Sequence, residues 1–260
     1  MAESGASRIR DIAPEHLANL NAGTAQARTL TEALAIDHPT LLRAALPDAG
    51  PALTAAIDEA QRLGILKRMT AIGGAVHTHL DAAQRARLAT HSSDTVRGWA
   101  CFAVGAQSLR HLSSAAAVAE LLTQIRPFAD DPHFTVREWA WMAIRNPLVA
   151  RLPEAITALS SWTSEPSPRV RRFASEALRP RGVWAAHIPA LKAAPELGNP
   201  LLEPLRSDPD RSVQDSVANW INDAAKTRPE WARDLAARWL AQSPEAATER
   251  IVARGLRSIS

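Results

Sequence analysis

Three carboxylates, four arginines and one tryptophan stand in the C-terminal half of this 260-residue chain with types and spacing that could do chemistry. Arg172, Glu176 and Arg179 share the stretch RVRRFASEALR, Asp223 closes a later stretch of similar pattern, and Glu138 and Arg145 belong to an earlier one. Counted from the valine that anchors each stretch, they fall at +2, +6, +9 and +10, one face of a helix. Arginines at +2 and +9 lie two turns apart, a spacing that suits a track for phosphates. The same spacing suits a solvated face on which Glu176 pairs with Arg172 and Arg179, and spacing alone does not choose. Trp184 ends the run Arg179-Pro180-Arg181-Gly182-Val183, in which the proline stops the helix. Between arginines, on a turn, its ring could stack on a base or a cation, or plug the core.

Those positions come from a repeat. SSDTVRGWACFAVG, DDPHFTVREWAWMAIR, SEPSPRVRRFASEALR and SDPDRSVQDSVANWIND align on Val96, Val136, Val170 and Val213, at spacings of 40, 34 and 43. Arg97, Arg137 and Arg171 follow the first three anchors and Gln214 the fourth; Ala100, Ala140, Ala174 and Val217 stand four residues on. An acidic residue, often with a proline, ends one helix and caps the next. The anchor and the small residue at +4 then share a face that a neighbouring helix can approach closely. Trp99, Trp139 and Phe173 at +3 read as packing between repeats. Helix pairs of about 40 residues are the period of HEAT-type solenoids.

The expected fold is therefore all-α, a right-handed α-solenoid of HEAT-like helix pairs forming a single domain over residues 1–260. Residues 1–90 supply irregular helices, with breaks at Gly23, Pro39 and near Pro51 and a helix end at Gly73-Gly74. Residues 91–260 supply the clear repeats and close on a pair capped at Pro229 and Ser243. In such a solenoid the second helix of each pair lines the concave, ligand-binding surface.

Composition narrows the function. Apolar residues make up 46% of the chain, enough for a core, and scarce glycine with abundant Ala and Leu favours helices over sheet. Cys101 has no cysteine to pair with, and His77, His79 and His91 do not complete a ligand set, so no metal and no cofactor is expected. No phosphate-binding loop occurs, which argues against nucleotide as a ligand. No membrane segment or apolar leader is visible, so the expectation is a cytoplasmic monomer. Net charge is +3, yet residues 165–192 hold six Arg or Lys against two Glu, whereas residues 1–90 hold nine of each sign. A local excess of that size attracts phosphates.

RRFASEALRPRGVW, then DPDRSVQDSVANWINDAAKTRPEWARDLAARWL and ERIVARGLRSI, resemble the AlkC branch of the AlkC/AlkD superfamily of HEAT-repeat DNA glycosylases. The resemblance is specific over residues 133–257, about half the chain. It implies excision of cationic N-alkylated purines, of the 3-methyladenine or 7-methylguanine type, from alkylated duplex DNA without flipping the base, and hence a part in base excision repair. Matched motif by motif, it implies Glu176, Asp223 and Glu138 as catalytic carboxylates and Trp184 as the lesion contact. Arg145, Arg172, Arg179 and Arg181 are then the expected contacts to the DNA backbone. An alkylated purine already carries positive charge, so the reaction needs negative charge beside an oxocarbenium-like sugar rather than strong acid catalysis. Gln214-Asp215 departs from the family's basic pair and makes part of the expected DNA face acidic. The alternative is a non-catalytic HEAT-repeat protein that binds DNA or serves as a protein-interaction scaffold.

Overall fold

The computed structural model describes residues 5–108, 114–182 and 185–259, and all regular structure among them is helical. The chain divides into two compact units, Met1–His111 with Asp131–Ile144 and Leu112–Asp130 with Arg145–Ser260.

The first unit begins with α1 (Pro14–Asn21), α2 (Leu30–Leu34), α3 (His38–Ala45) and α4 (Pro51–Ala60), followed by α5 (Ile65–His79), α6 (Ala82–Ala89) and α7 (Asp94–Ser108). Sequence signals set most of these boundaries. Gly23 has a positive φ of 71°, the left-handed conformation that ends α1, and Pro39 and Pro51 sit in the first turns of α3 and α4. One expected boundary is absent: Gly73 and Gly74 lie inside α5. A Cβ at Gly73 would come within 2.4 Å of the Phe102 carbonyl carbon, so the glycine is there to let α7 approach α5 closely.

The second unit holds α8 (Ala115–Ala129), α10 (Leu152–Ser160), α11 (Pro168–Glu176), α12 (Pro189–Ala193) and α13 (Asn199–Leu202). It closes with α14 (Arg211–Ala225), α15 (Pro229–Gln242) and α16 (Ala246–Gly255). The remaining helix, α9 (Phe134–Ala150), gives its first part to the first unit and the turns from Arg145 onward to the second. Pro229 opens α15 as its sequence position suggests, but Ser243 ends α15 rather than capping α16.

The repeat pattern has a direct structural meaning. All four anchor valines are fully buried, as are Trp99, Trp139 and Phe173 at +3. Burying a side chain of that size contributes about 2–3 kcal/mol each. The residue after the anchor is a joint. Arg171 clamps Asp208 with two bonds, Nε–Oδ2 2.6 Å and Nη2–Oδ1 3.1 Å, and donates to the carbonyls of Glu165 and Pro166. Arg97 repeats the arrangement with Asp131 and the carbonyls of His91 and Ser92, and Arg137 donates to the carbonyls of Asp131 and Pro132. Gln214, in the same register, donates to the Asp208 carbonyl. These side chains satisfy the carbonyls left over where one helix ends and the next begins.

Candidate active site

Within the second unit, the sequence-selected residues converge where α11 ends beside α14. The helix stops earlier than its proline suggests, at Glu176 rather than Pro180. Arg179 is therefore off the helix and off the stripe expected for it. It turns back and bridges two carboxylates: Nη1 lies 2.8 Å from Glu176 Oε1, and Nε and Nη2 lie 3.1 and 3.0 Å from Asp223 Oδ2. Glu176 and Asp223 come from adjacent helices and are each only 4% exposed. Arg172 approaches Glu176 Oε2 at 3.6 Å. A buried hydroxyl relay reaches the same oxygen, with Ser175 donating to Ser216 at 2.8 Å and Ser216 to Glu176 at 2.7 Å.

The two acids are unequal. Burial works to raise the pKa of both. For Glu176 the Arg172 and Arg179 charges and the Ser216 hydroxyl outweigh burial and hold the group below its ordinary value. For Asp223 burial prevails over Arg179 and Lys226, and the nearby Glu176 charge adds to it, so its pKa lies above the ordinary aspartate value. One arginine thus serves an anion that stays ionised and a second that takes a proton more readily. Such divergence between neighbouring carboxylates marks sites of acid–base and electrostatic chemistry, and structural ion-pair networks produce it too.

Arg145 departs from its expected role. It is 1% exposed and points inward, donating to the carbonyls of Ala177 at 2.8 Å and Arg179 at 2.6 Å, and to Ala186 at 3.2 Å. Those carbonyls flank the loop between α11 and α12, so Arg145 closes that loop and cannot also reach a phosphate. Burial, with the Arg179 charge beside it, pulls its pKa down to about 10. Arg179 is corrected likewise, its guanidinium being committed to two acids. Arg172 and Arg181 are half-buried, and Arg181 donates to the Asp223 carbonyl at 3.1 Å.

Glu138 stands in the first unit on α9, half-buried, and accepts from Trp141 Nε1 at 2.8 Å. Trp184 lies outside the described residues. Sequence reasoning missed Ser216 and Ser175; a serine at +3 of the α14 repeat carries no sign of the carboxylate it will face. Among the described residues no three His, Cys, Asp or Glu side chains gather as a metal-ion site, and no helix is long and apolar enough to cross a membrane.

With this geometry in hand, comparison with solved structures is informative. The Pseudomonas fluorescens alkylpurine DNA glycosylase AlkC, bound to DNA containing an abasic site analog, superposes with a TM-score of 0.61 at 23% identity, covering 98% of this chain and 65% of that one. AlkD2 from Streptococcus mutans gives 0.61 at 18% identity, covering 80% of this chain and 97% of that one. The fold is that of these AlkC and AlkD2 structures. In sequence, the uncharacterized protein YhaZ of Bacillus subtilis (strain 168) is 36% identical over 126 residues, 48% of this chain. The chain spans 35% of YhaZ and less than two thirds of the AlkC chain. No family model matches.

Proposed function

We propose that this chain is a DNA glycosylase that releases cationic N-alkylated purines from duplex DNA, with Glu176 and Asp223 acting on the sugar of the lesion. The observation that carries the proposal is the pair of carboxylates held by Arg179 on two adjacent helices, in a fold shared with AlkC. As the glycosidic bond of an alkylated purine breaks, positive charge moves from the base to the sugar. Glu176, ionised across the physiological range, stabilises that charge, and Asp223 positions the attacking water and takes up its proton. The hydrogen bonds from Arg179 and Ser216 fix the carboxylate of Glu176 before substrate arrives, so no reorganisation is needed during the reaction. Trp184 and Glu138 keep the parts that the sequence resemblance implies, a stacking surface for the cationic base and a further acid. Arg172 and Arg181 are the members of the original arginine set proposed to meet the backbone.

A second reading has an observation of its own. Glu176 and Asp223 are nearly covered and already partnered, as in a structural knot that braces α11 against α14 in a binding protein without chemistry. Incubating the purified chain with methylated and unmethylated duplex DNA, without added metal, and measuring free purine separates the two. The glycosylase reading expects alkylpurine from the methylated duplex alone. DNA binding without release would leave the brace.

A further inference from the structure

If Arg145 and Arg179 are occupied within the protein, a duplex at this site must find its cations elsewhere. The last helix and the turn after it supply them. α16 packs along α14, and its contacts advance in step: Arg250 meets Gln214 and Asp215, Arg257 meets Asn219, and Ser258 meets Asn222. The two helices run parallel and close together, since a Cβ at Gly255 would stand 3.0 Å from Ile221 Cγ2. α14 therefore lies between α11 and α16 and carries Asp223 in the middle of three rows.

Arg250 and Arg254 recur at i and i+4 on one face of α16, and Arg257 follows in the turn just past its end. Asp215, which the sequence marks as an acidic intrusion, is covered by two of them, at 2.7 Å from Arg250 Nη2 and 3.0 Å from Arg254 Nε. Arg257 Nη2 donates to Asn219 Oδ1 at 2.8 Å. Asp215 thus faces two arginines and Arg257 meets a neutral amide, so the row keeps a surplus of positive charge. The ion pairs themselves are open to water, with the Arg254 side chain 47% and the Asp215 side chain 41% exposed, and pairs of that kind add little to stability. Arg250 and Arg254, four helical residues apart, are separated by about 6 Å along the axis, roughly two nucleotide steps along a duplex.

We propose that Arg250 and Arg254 of α16, with Arg257 in the turn that follows it, form a row of cations that holds the phosphates of a nucleic-acid duplex on the side of Asp223 away from α11. Asp215 holds the row extended and yields its partners when phosphates arrive. This rests on duplex DNA being the ligand of the site. The test is binding of a fluorescently labelled, unmodified DNA duplex by anisotropy at several salt concentrations, with the fold of each variant checked by thermal melting. Replacing Arg254→Gln and Arg257→Gln together should lower the slope of log affinity against log salt by about two, at about 0.9 per phosphate contact. The double replacement Arg254→Lys with Arg257→Lys should keep the slope, and Asp215→Asn should tighten binding, because it removes the competitor. An unchanged slope in the glutamine variant, while the wild type binds DNA and releases base, would overturn this inference and leave the glycosylase reading standing. A wild type that binds polyglutamate but no DNA would overturn both, in favour of an acidic protein partner.

Discussion

Arg171 and Arg179 belong to the same repeat and do opposite work. Arg171 faces one aspartate in a two-bond clamp and spends its remaining donor on two carbonyls, so charge and hydrogen bonds are matched one to one. Its hydrogen bond to Asp208 raises its pKa over the opposing effect of burial. The first unit builds the same joint with Arg97 and Asp131. Arg179, at the other end of α11, is shared by two buried carboxylates that titrate on opposite sides of their ordinary values. A joint repeated along a solenoid has no use for such imbalance. That imbalance is what separates the Arg179 cluster from the joints, and it is the feature on which the proposed chemistry rests.

The contrast can be broken most severely at Arg179. Arg179→Met leaves two buried carboxylates without their shared cation and should cost about 3–5 kcal/mol in urea unfolding at neutral pH. Asp223, already raised by burial, would lose the cation that opposes that rise, and Glu176 would lose part of what holds its pKa down. The Asp223 contribution to stability is present at low pH and lost as pH rises through its folded value. The deficit should accordingly shrink on acidification. Arg171→Met should cost less, about 3 kcal/mol, because Asp208 retains the Asp210 N–H at 2.9 Å. Ser216→Ala removes one hydroxyl from Glu176 but leaves Arg172 and Arg179, so about 1.5 kcal/mol is expected in the same assay.

The smallest effect is in pH dependence. Asp223 should protonate first as pH falls, giving base release an acid limb above 3.8, the ordinary aspartate value. Glu176 stays ionised there. In the wild type the two contribute to stability with opposite sign. Glu176 stabilises above its unfolded pKa and loses that contribution as pH falls through its lower folded value. Asp223 contributes at low pH and loses it as pH rises through its raised one. Asp223→Asn should remove the upper acid limb from whatever activity remains, measurable as a pH–rate profile.

Much of this was legible in the chain. The anchor valines, the small residues at +4 and the +3 aromatics are periodic apolar signals, and the structure buries all of them. The N-terminal breaks at Gly23, Pro39 and Pro51 follow from backbone chemistry that glycine and proline impose wherever they occur. Gly73 misled because a glycine that ends a helix and one that admits a neighbouring helix look alike until the neighbour is known. Spacing put Glu176, Asp223, Arg172 and Arg179 on one face without choosing between a site and a solvated stripe, and it treated α11 as continuing to Pro180. The early stop at Glu176 turned Arg179 inward, away from the solvent stripe. Arg145 was misread for a related reason: periodicity gives a face, and the carbonyls that capture its guanidinium belong to a loop no periodicity describes. The cover that Arg250 and Arg254 lay over Asp215 was equally hidden, since it joins residues 35 or more apart in the chain.

The most direct measurement sets the two regions against each other in one assay. Glu176→Gln and Asp208→Asn are to be compared for unfolding stability, duplex affinity and the single-turnover rate of alkylpurine release. The account predicts that Glu176→Gln keeps its affinity for the duplex and loses about a hundredfold in rate, on the order of 3 kcal/mol of transition-state stabilisation. Asp208→Asn should lose stability and keep its rate at a temperature where it is folded. A Glu176→Gln protein that melts early but releases base at the wild-type rate would contradict the account and make the Arg179 cluster one more joint.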